Sequence, residues 1–190
     1  MGGLLPQIER FQGVIPLGGL ANAMLQQTKE MPVYQTAQSS KAPVYVFVDK
    51  DVGEGLGWYG EAGGRNFHPT IPRGSSVIGL GDPVEMFQAG VTPRQVTAHE
   101  LGHFISITHP QYPEIRQKMM TAIQPQGLKT ANWDFEKKKW IPSPEIRFGQ
   151  PEEHIADILS GQQPRPDYYN YGVSPELHRQ ILELTRQFLR

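Results

Sequence analysis

The chain of 190 residues contains no cysteine. This excludes disulfide bonds and thiolate metal sites, so any metal ion must be held by histidine and carboxylate side chains. The sequence also lacks an excess of either charge, with 18 basic and 19 acidic residues. A balanced charge does not indicate binding to nucleic acid or to an anionic membrane surface.

Long apolar runs are missing as well. No stretch approaches the roughly 20 residues of a membrane-spanning helix, and the N-terminal apolar segment is interrupted by Pro6, Glu9, Arg10 and Pro16. That segment lacks the charged start and the continuous apolar core of a signal peptide. We therefore expect no membrane association and favour a cytoplasmic location. Composition does not indicate an oligomeric state.

The most informative pattern is His-Glu-Leu-Gly-His at residues 99–103, within a stretch compatible with a helix. Residues four apart lie on the same helical face, so His99 and His103 can bind a single Zn²⁺, with Glu100 beside it as a proton acceptor. Apolar side chains occupy the opposite side of the same helix: Leu101, Phe104 and Ile105. The pattern predicts a helix with one metal-binding face and one core face.

The start of this helix is also encoded locally. Thr92 is a residue type that favours the N-cap, and Pro93 is tolerated at the first helical position because its missing N–H has no partner there anyway. We therefore expect the helix to begin near residue 93.

Zinc hydrolases usually keep three protein ligands, so a third ligand is required. Glu153 is the first candidate, in a segment that begins with Pro151 and continues with helical spacing over 151–159. Asp157 follows Glu153 at the same interval that separates the two histidines. The opposite face is apolar: Ile155, Ile158 and Leu159. A second helix is thus predicted to present a short polar face.

Together these residues resemble the gluzincin branch of the zincin metallopeptidases, typified by thermolysin. The resemblance implies that His99, His103 and Glu153 bind one Zn²⁺, that Glu100 is the general base, and that Asp157 orients a ligand histidine. The two segments, with Ala156 before Asp157, are also similar to small phage and bacterial metallopeptidases, some of which are regulators.

The resemblance implies a zinc-dependent peptidase, an endopeptidase by expectation, that acts on peptides or proteins. When bound, Zn²⁺ lowers the pKa of its water towards about 7 and polarises the scissile carbonyl. Zincins usually add a Tyr or His that donates to the oxyanion. The sequence offers several candidates without choosing between them: His109, Tyr168, Tyr169, Tyr171 and His178.

A competing ligand set uses His109, which has the spacing of the metzincin motif. Metzincins hold a glycine where this chain has Ser106, because the helix must turn sharply there. The proline after His109 forces that residue out of a helical conformation, and the pair Met119-Met120 could form the Met-turn of that family. The metzincin alternative therefore stays open. Two further alternatives are a non-catalytic zincin-like domain that binds metal for folding or regulation, and a subunit of a larger assembly. The intact Glu100 weighs against the non-catalytic one.

The remaining sequence predicts an α+β, zincin-like fold, in which a small mixed or antiparallel sheet packs on the active-site helix and further helices follow. We expect one domain over 1–190, with an N-terminal helical segment (1–40), the sheet and active-site helix (41–110), and a helical part carrying the third ligand (111–190). Finer expectations are a helix over 17–30, strands over 44–49 and 75–81, a hairpin or loop over 53–64, helices over 113–123 and 174–189, and a hairpin or long loop over 125–151. In zincins, which this order resembles, an edge strand placed like 75–81 borders the cleft and pairs with extended substrate. An inner or covered strand is the alternative.

Overall fold

The computed structural model describes residues 12–49, 56–62, 71–123, 131–134, 136–142, 151–161 and 175–189. They form a mixed arrangement of helices and a small four-stranded sheet, which confirms the α+β class. In chain order the elements are β1 (Gly13–Leu17), α1 (Gly19–Gln26), α2 (Pro32–Gln38), β2 (Pro43–Val48), β3 (Gly57–Glu61), β4 (Ser76–Leu80), α3 (Pro83–Gln88), α4 (Pro93–Thr108), α5 (Tyr112–Ile123), β5 (Ala131–Asp134), β6 (Lys139–Pro142), α6 (Pro151–Leu159), α7 (Pro175–Thr185) and a 3₁₀ turn (Arg186–Leu189).

The main sheet has the order β1-β2-β4-β3. Strands β1, β2 and β4 are parallel, whereas β3 pairs antiparallel with β4 and forms an edge. Of the two positions left open for strand 75–81, the inner one is observed, because β4 lies between two partners. The glycine-rich segment that we expected to form a hairpin or loop supplies the edge strand instead. Its Trp58 lies opposite Gly79 and covers it, so that a Cβ at Gly79 would overlap the indole nitrogen.

The helix expected over 17–30 is confirmed as α1, although it is shorter, and a strand that was not expected precedes it. Residues 13–17 form β1, at the other edge of the sheet, where Pro16 is tolerated because an edge strand can lack one N–H. Gly18 then takes a positive φ of 97°, a conformation that suits glycine, and separates β1 from α1. Pro32 begins α2 rather than ending a longer helix.

The helices cover one face of the sheet. On that face, buried side chains of β2 and β4 pack with Leu101 and Phe104 of α4 in the main core. The opposite face carries a smaller apolar cluster of Tyr45 and Val77, with the rings of Phe47 and Trp58 meeting edge to face at 5.7 Å. Helix α4 is therefore held against the sheet by an extensive core.

The C-terminal half follows the predicted pattern closely. Helix α5 begins at Tyr112, α6 spans the predicted 151–159, and α7 with its 3₁₀ turn occupies the predicted last helix. Strands β5 and β6 form an antiparallel hairpin, which decides between hairpin and loop for that region. None of the helices in the described part of the chain is long and apolar enough to cross a membrane.

Candidate metal centre

Helix α4 begins with a complete capping box. The Thr92 hydroxyl accepts from the Gln95 backbone N–H at 3.2 Å, and the Gln95 side-chain oxygen accepts from the Thr92 N–H at 2.8 Å. These bonds satisfy amide groups that a helix start leaves without partners. The predicted start at Pro93 is confirmed, and it places residues 99–103 in the middle of a 16-residue helix.

Helix α6 approaches α4 closely because Gly102 lacks a side chain. A Cβ on Gly102 would lie 2.8 Å from the Cα and 3.0 Å from the carbonyl oxygen of Ala156. No larger residue fits without moving one helix away from the other. The glycine inside the motif thus allows α6 to bring its polar face over the two histidines.

The close crossing assembles a group of three metal-ligating side chains. The Nε2 atoms of His99 and His103 lie 3.1 Å apart. The Oε2 atom of Glu153 lies 3.2 Å from His99 Nε2, and its Oε1 atom lies 3.5 Å from His103 Nε2. Tetrahedral ligands at the usual Zn–N distance are about 3.3 Å apart. One ligand atom from each residue lies within 4.8 Å of the others, so this group could hold a metal ion.

Asp157 fixes the orientation of His99. The Nδ1–H of His99 donates to Asp157 Oδ1 at 2.8 Å, since a carboxylate can only accept. This contact leaves Nε2 directed at His103 and Glu153. Hydrogen bonding of the outer nitrogen is the usual way in which a protein selects the tautomer of a ligand imidazole.

The charges and hydrogen bonds of His99, His103, Glu153 and Asp157 shift the pKa values of two of these groups. Burial lowers the pKa of His99, but hydrogen bonds to Asp157 and Glu153 outweigh it and raise that pKa well above its ordinary value. Burial likewise raises the pKa of Glu153, and hydrogen bonds from His103 and His99 reverse the effect and hold it well below its usual range. Glu153 is therefore a carboxylate at neutral pH, as a metal ligand must be.

Glu100 is on the same helix and is only 5% exposed. Burial raises its pKa, and the positive charge of His99 and His103 opposes that change. The edge strand β3 passes beside it, so closely that a Cβ on Gly57 would lie 2.8 Å from Glu100 Oε1. Sequence reasoning missed Gly57, whose only signal was its place in a glycine-rich stretch.

The structure does not bring His109 into this group. His109 is the C-cap of α4, its ring packs edge to face on Phe188 at 5.2 Å, and its Nδ1 accepts from the Gln111 N–H at 3.2 Å. Helix α4 also continues through Ser106, whose hydroxyl donates to the His103 carbonyl. The sharp turn that a metzincin ligand set needs at residue 106 is absent from this helix.

The structure does not describe the side chains of the remaining candidates for oxyanion stabilisation. Tyr168, Tyr169 and Tyr171 lie outside the described residues, as does the side chain of His178. Met119, considered for a Met-turn, is a fully buried core residue of α5.

Comparisons with protein-family models, with curated proteins and with solved structures gave no significant match to this chain.

Proposed function

We propose that the protein is a zinc-dependent peptidase with a gluzincin-like ligand set of His99, His103 and Glu153. The observation that carries the proposal is a three-ligand group with a buried carboxylate, Glu100, one residue from the first ligand. A purely structural metal site has no need of that carboxylate, whereas hydrolysis needs a base beside the metal. Two imidazoles and a carboxylate also suit Zn²⁺ in preference to Ca²⁺ or Mg²⁺.

In this mechanism Glu100 handles the proton. His99, His103 and Glu153 would hold the Zn²⁺, which would supply a water of lowered pKa, towards about 7, and polarisation of the substrate carbonyl. Glu100 accepts a proton from the water and delivers it to the leaving amine. Asp157 keeps His99 oriented throughout.

The position of β3 supports a peptide or protein as the substrate. The strand is an edge of the sheet and its first residue, Gly57, lies against Glu100. An exposed edge can pair with the backbone of an extended peptide, which would place a scissile bond near the base. The resemblance to zincins implies a small mixed or antiparallel sheet packed on the motif helix, so the observed mixed sheet supports the zincin-like assignment.

The ligand set is tested by elemental analysis of purified protein. We expect wild type to bind one zinc ion per chain, Glu153→Gln to bind much less, and His109→Ala to bind as wild type does. The histidine variant is a matched control because His109 is a ligand only in the metzincin alternative. Zinc retained by Glu153→Gln and lost by His109→Ala would reverse the assignment.

Catalysis is tested with Glu100→Gln and a peptide-library screen for hydrolysis. The amide cannot accept the proton, so we expect full zinc content and a loss of turnover of about 10² to 10⁴-fold. Glu114→Gln, an exposed glutamate on α5, serves as the control and should leave turnover unchanged. Unchanged turnover in Glu100→Gln would contradict its role as the base, and a zinc-loaded wild type without any hydrolysis would favour the non-catalytic, regulatory alternative.

A further inference from the structure

A second polar cluster lies next to the metal centre, where α5 meets the first turn of α6. The Tyr112 hydroxyl and the Arg116 Nε–H both donate to the same oxygen of Glu152, each at 2.5 Å. Tyr112 and Arg116 are one helical turn apart on α5, so they converge on a single acceptor. Glu152 is largely buried, with a side chain 20% exposed.

The charges of Arg116 and Glu152 and the proton on the Tyr112 hydroxyl strengthen the hydrogen bonds of this cluster. The Arg116 guanidinium is positively charged and its Nε–H faces the Glu152 carboxylate, so this hydrogen bond is charge-assisted. Burial and the contact with Glu152 raise the pKa of Tyr112 to about 12, so its hydroxyl keeps the proton that it donates. Two donors on an ionised carboxylate form stronger hydrogen bonds than neutral pairs do.

The position of Glu152 in the chain links this cluster to the candidate metal ligand Glu153. Glu152 directly precedes the candidate ligand Glu153, and both lie in the first turn of α6, which has few backbone hydrogen bonds of its own. Glu152 and Glu153 belong to one helical turn, and their side chains point in different, fixed directions from it. Holding Glu152 against α5 therefore also fixes the direction in which Glu153 points. The close contact of Ala156 with Gly102 holds the next turn against α4. Helix α6 is thus anchored to one neighbour at 152 and to the other at 156.

We propose that Tyr112 and Arg116 are positioning residues for the metal centre. They hold Glu152 on α5 and thereby direct Glu153 towards His99 and His103. This inference rests on the proposed metal binding, and it adds two residues that no ligand motif contains.

The test measures metal affinity and coordination rather than turnover. We expect Arg116→Gln and Tyr112→Phe each to weaken zinc binding by about tenfold, in the range for residues that orient ligands. The absorption spectrum of the Co²⁺-loaded protein should change as well, because the carboxylate no longer meets the metal in the same direction. Arg116→Lys keeps the positive charge and should restore part of the affinity.

Lys118→Gln is the matched control. It lies on the same helix and also removes a contact with a glutamate, Glu114 at 2.6 Å, but that pair is exposed and does not reach α6. Because both side chains of this pair are more than half exposed, we expect its zinc affinity and Co²⁺ spectrum to equal those of wild type. Tyr112→Phe removes only a hydroxyl and keeps the ring, so it remains informative if the arginine variant folds poorly.

A double-variant experiment separates positioning from general stability. If Arg116 acts through Glu152, then Arg116→Gln has no further effect on zinc affinity in a Glu152→Gln background. Wild-type affinity and spectrum in both single variants, or fully additive losses in the double variant, would overturn the positioning role while the ligand set stands. A wild-type chain that binds neither Zn²⁺ nor Co²⁺ would overturn the proposed function and this inference together.

Discussion

At the scale of single residues, His99 carries the most connections in the candidate site. Its two ring nitrogens contact Asp157, Glu153 and His103 within 3.2 Å. In the metal-free protein both nitrogens can donate to carboxylates, which explains its raised pKa. A metal ion has to displace the proton on Nε2, so protonation and metal binding compete for the same atom.

This competition predicts opposite effects of pH on two properties. Zinc affinity should increase from about pH 6 upwards and level off only well above the ordinary histidine pKa of about 6.5. The pKa of His99 is raised by folding, so its contribution to the stability of the metal-free protein is present below about pH 6.5 and is lost as pH rises through the raised value. Zinc competition titrations and denaturant unfolding across this range measure both. An affinity already constant at pH 6.5 would contradict the prediction.

Two buried threonines offer a matched pair for stability. Thr97 and Thr28 are both completely buried, and the hydroxyl of Thr28 donates to the Leu25 carbonyl at 2.7 Å. Within the described part of the chain, the Thr97 hydroxyl has no hydrogen-bond partner. An unpaired buried hydroxyl costs free energy, whereas a paired one contributes to stability.

We therefore expect Thr97→Val to stabilise the metal-free protein by about 1 kcal/mol and Thr28→Val to destabilise it by about the same amount. Valine is β-branched like threonine and has nearly the same shape, so the effect of each substitution reflects mainly the lost hydroxyl. Denaturant unfolding of the two variants measures the difference. Equal effects of the same sign would mean that packing, not hydrogen bonding, decides the result.

At the scale of secondary-structure elements, the crossing of α4 and α6 decides the site. His99 and His103 are on one helix and Glu153 is on the other, so the ligand distances depend on how closely the two helices pack. Gly102 and Ala156 are in close contact at this crossing. The second glycine-dependent contact, Gly57 against Glu100, sets the distance from the edge strand to the proposed base.

Gly102→Ala should weaken zinc binding although it removes no ligand. The added methyl group would overlap backbone atoms of Ala156 and push α6 away, at a cost of about 1 to 3 kcal/mol typical of overpacking. Gly19→Ala is the control: it is also a helical glycine, and a Cβ there would meet nothing within 4 Å. Zinc affinity and unfolding free energy of both variants give the measurement. Wild-type zinc affinity and unfolding free energy in both variants would show that the crossing of α4 and α6 can accept a methyl group at residue 102.

At the scale of the whole molecule, a metal ion would join the part of the chain that packs on the sheet to the C-terminal helices. Helix α4 belongs to the main core, whereas Glu153 enters from a segment more than 50 residues further along the chain. A ligand that binds only the folded state stabilises it by mass action. Metal and fold are therefore expected to be coupled.

Zinc should raise the unfolding free energy by about 2.7 kcal/mol when its free concentration is a hundred times the dissociation constant. A chelator should reverse the effect. Thermal unfolding with and without zinc measures the shift, which we expect to be much smaller in Glu153→Gln and unchanged in His109→Ala. The same zinc-induced shift in Glu153→Gln as in wild type would place the bound metal elsewhere.

The accuracy of sequence-based prediction followed how local each feature is. The start of α4 at Pro93 and the bounds of α6 were correct, because caps, prolines and helical spacing act within a few residues. The helix expected over 17–30 is present but shorter, at residues 19–26, and strand β1 before it was not predicted. The choice between an edge and an inner position for strand 75–81 stayed open in the sequence. Strand β1 exists because it pairs with β2, and β4 is internal because β3 pairs beside it. Such pairings join distant segments and leave little trace in either one.

The sequence by itself determined which residues carry metal-binding atoms and on which helical face they lie, because a helix repeats every 3.6 residues whatever surrounds it. Only the tertiary structure decided which distant residue meets His99 and His103. Glu153 does so because Gly102 lets α6 cross α4 at close range, while His109 ends α4 against Phe188. That choice depends on how two helices pack, a property that neither segment contains alone.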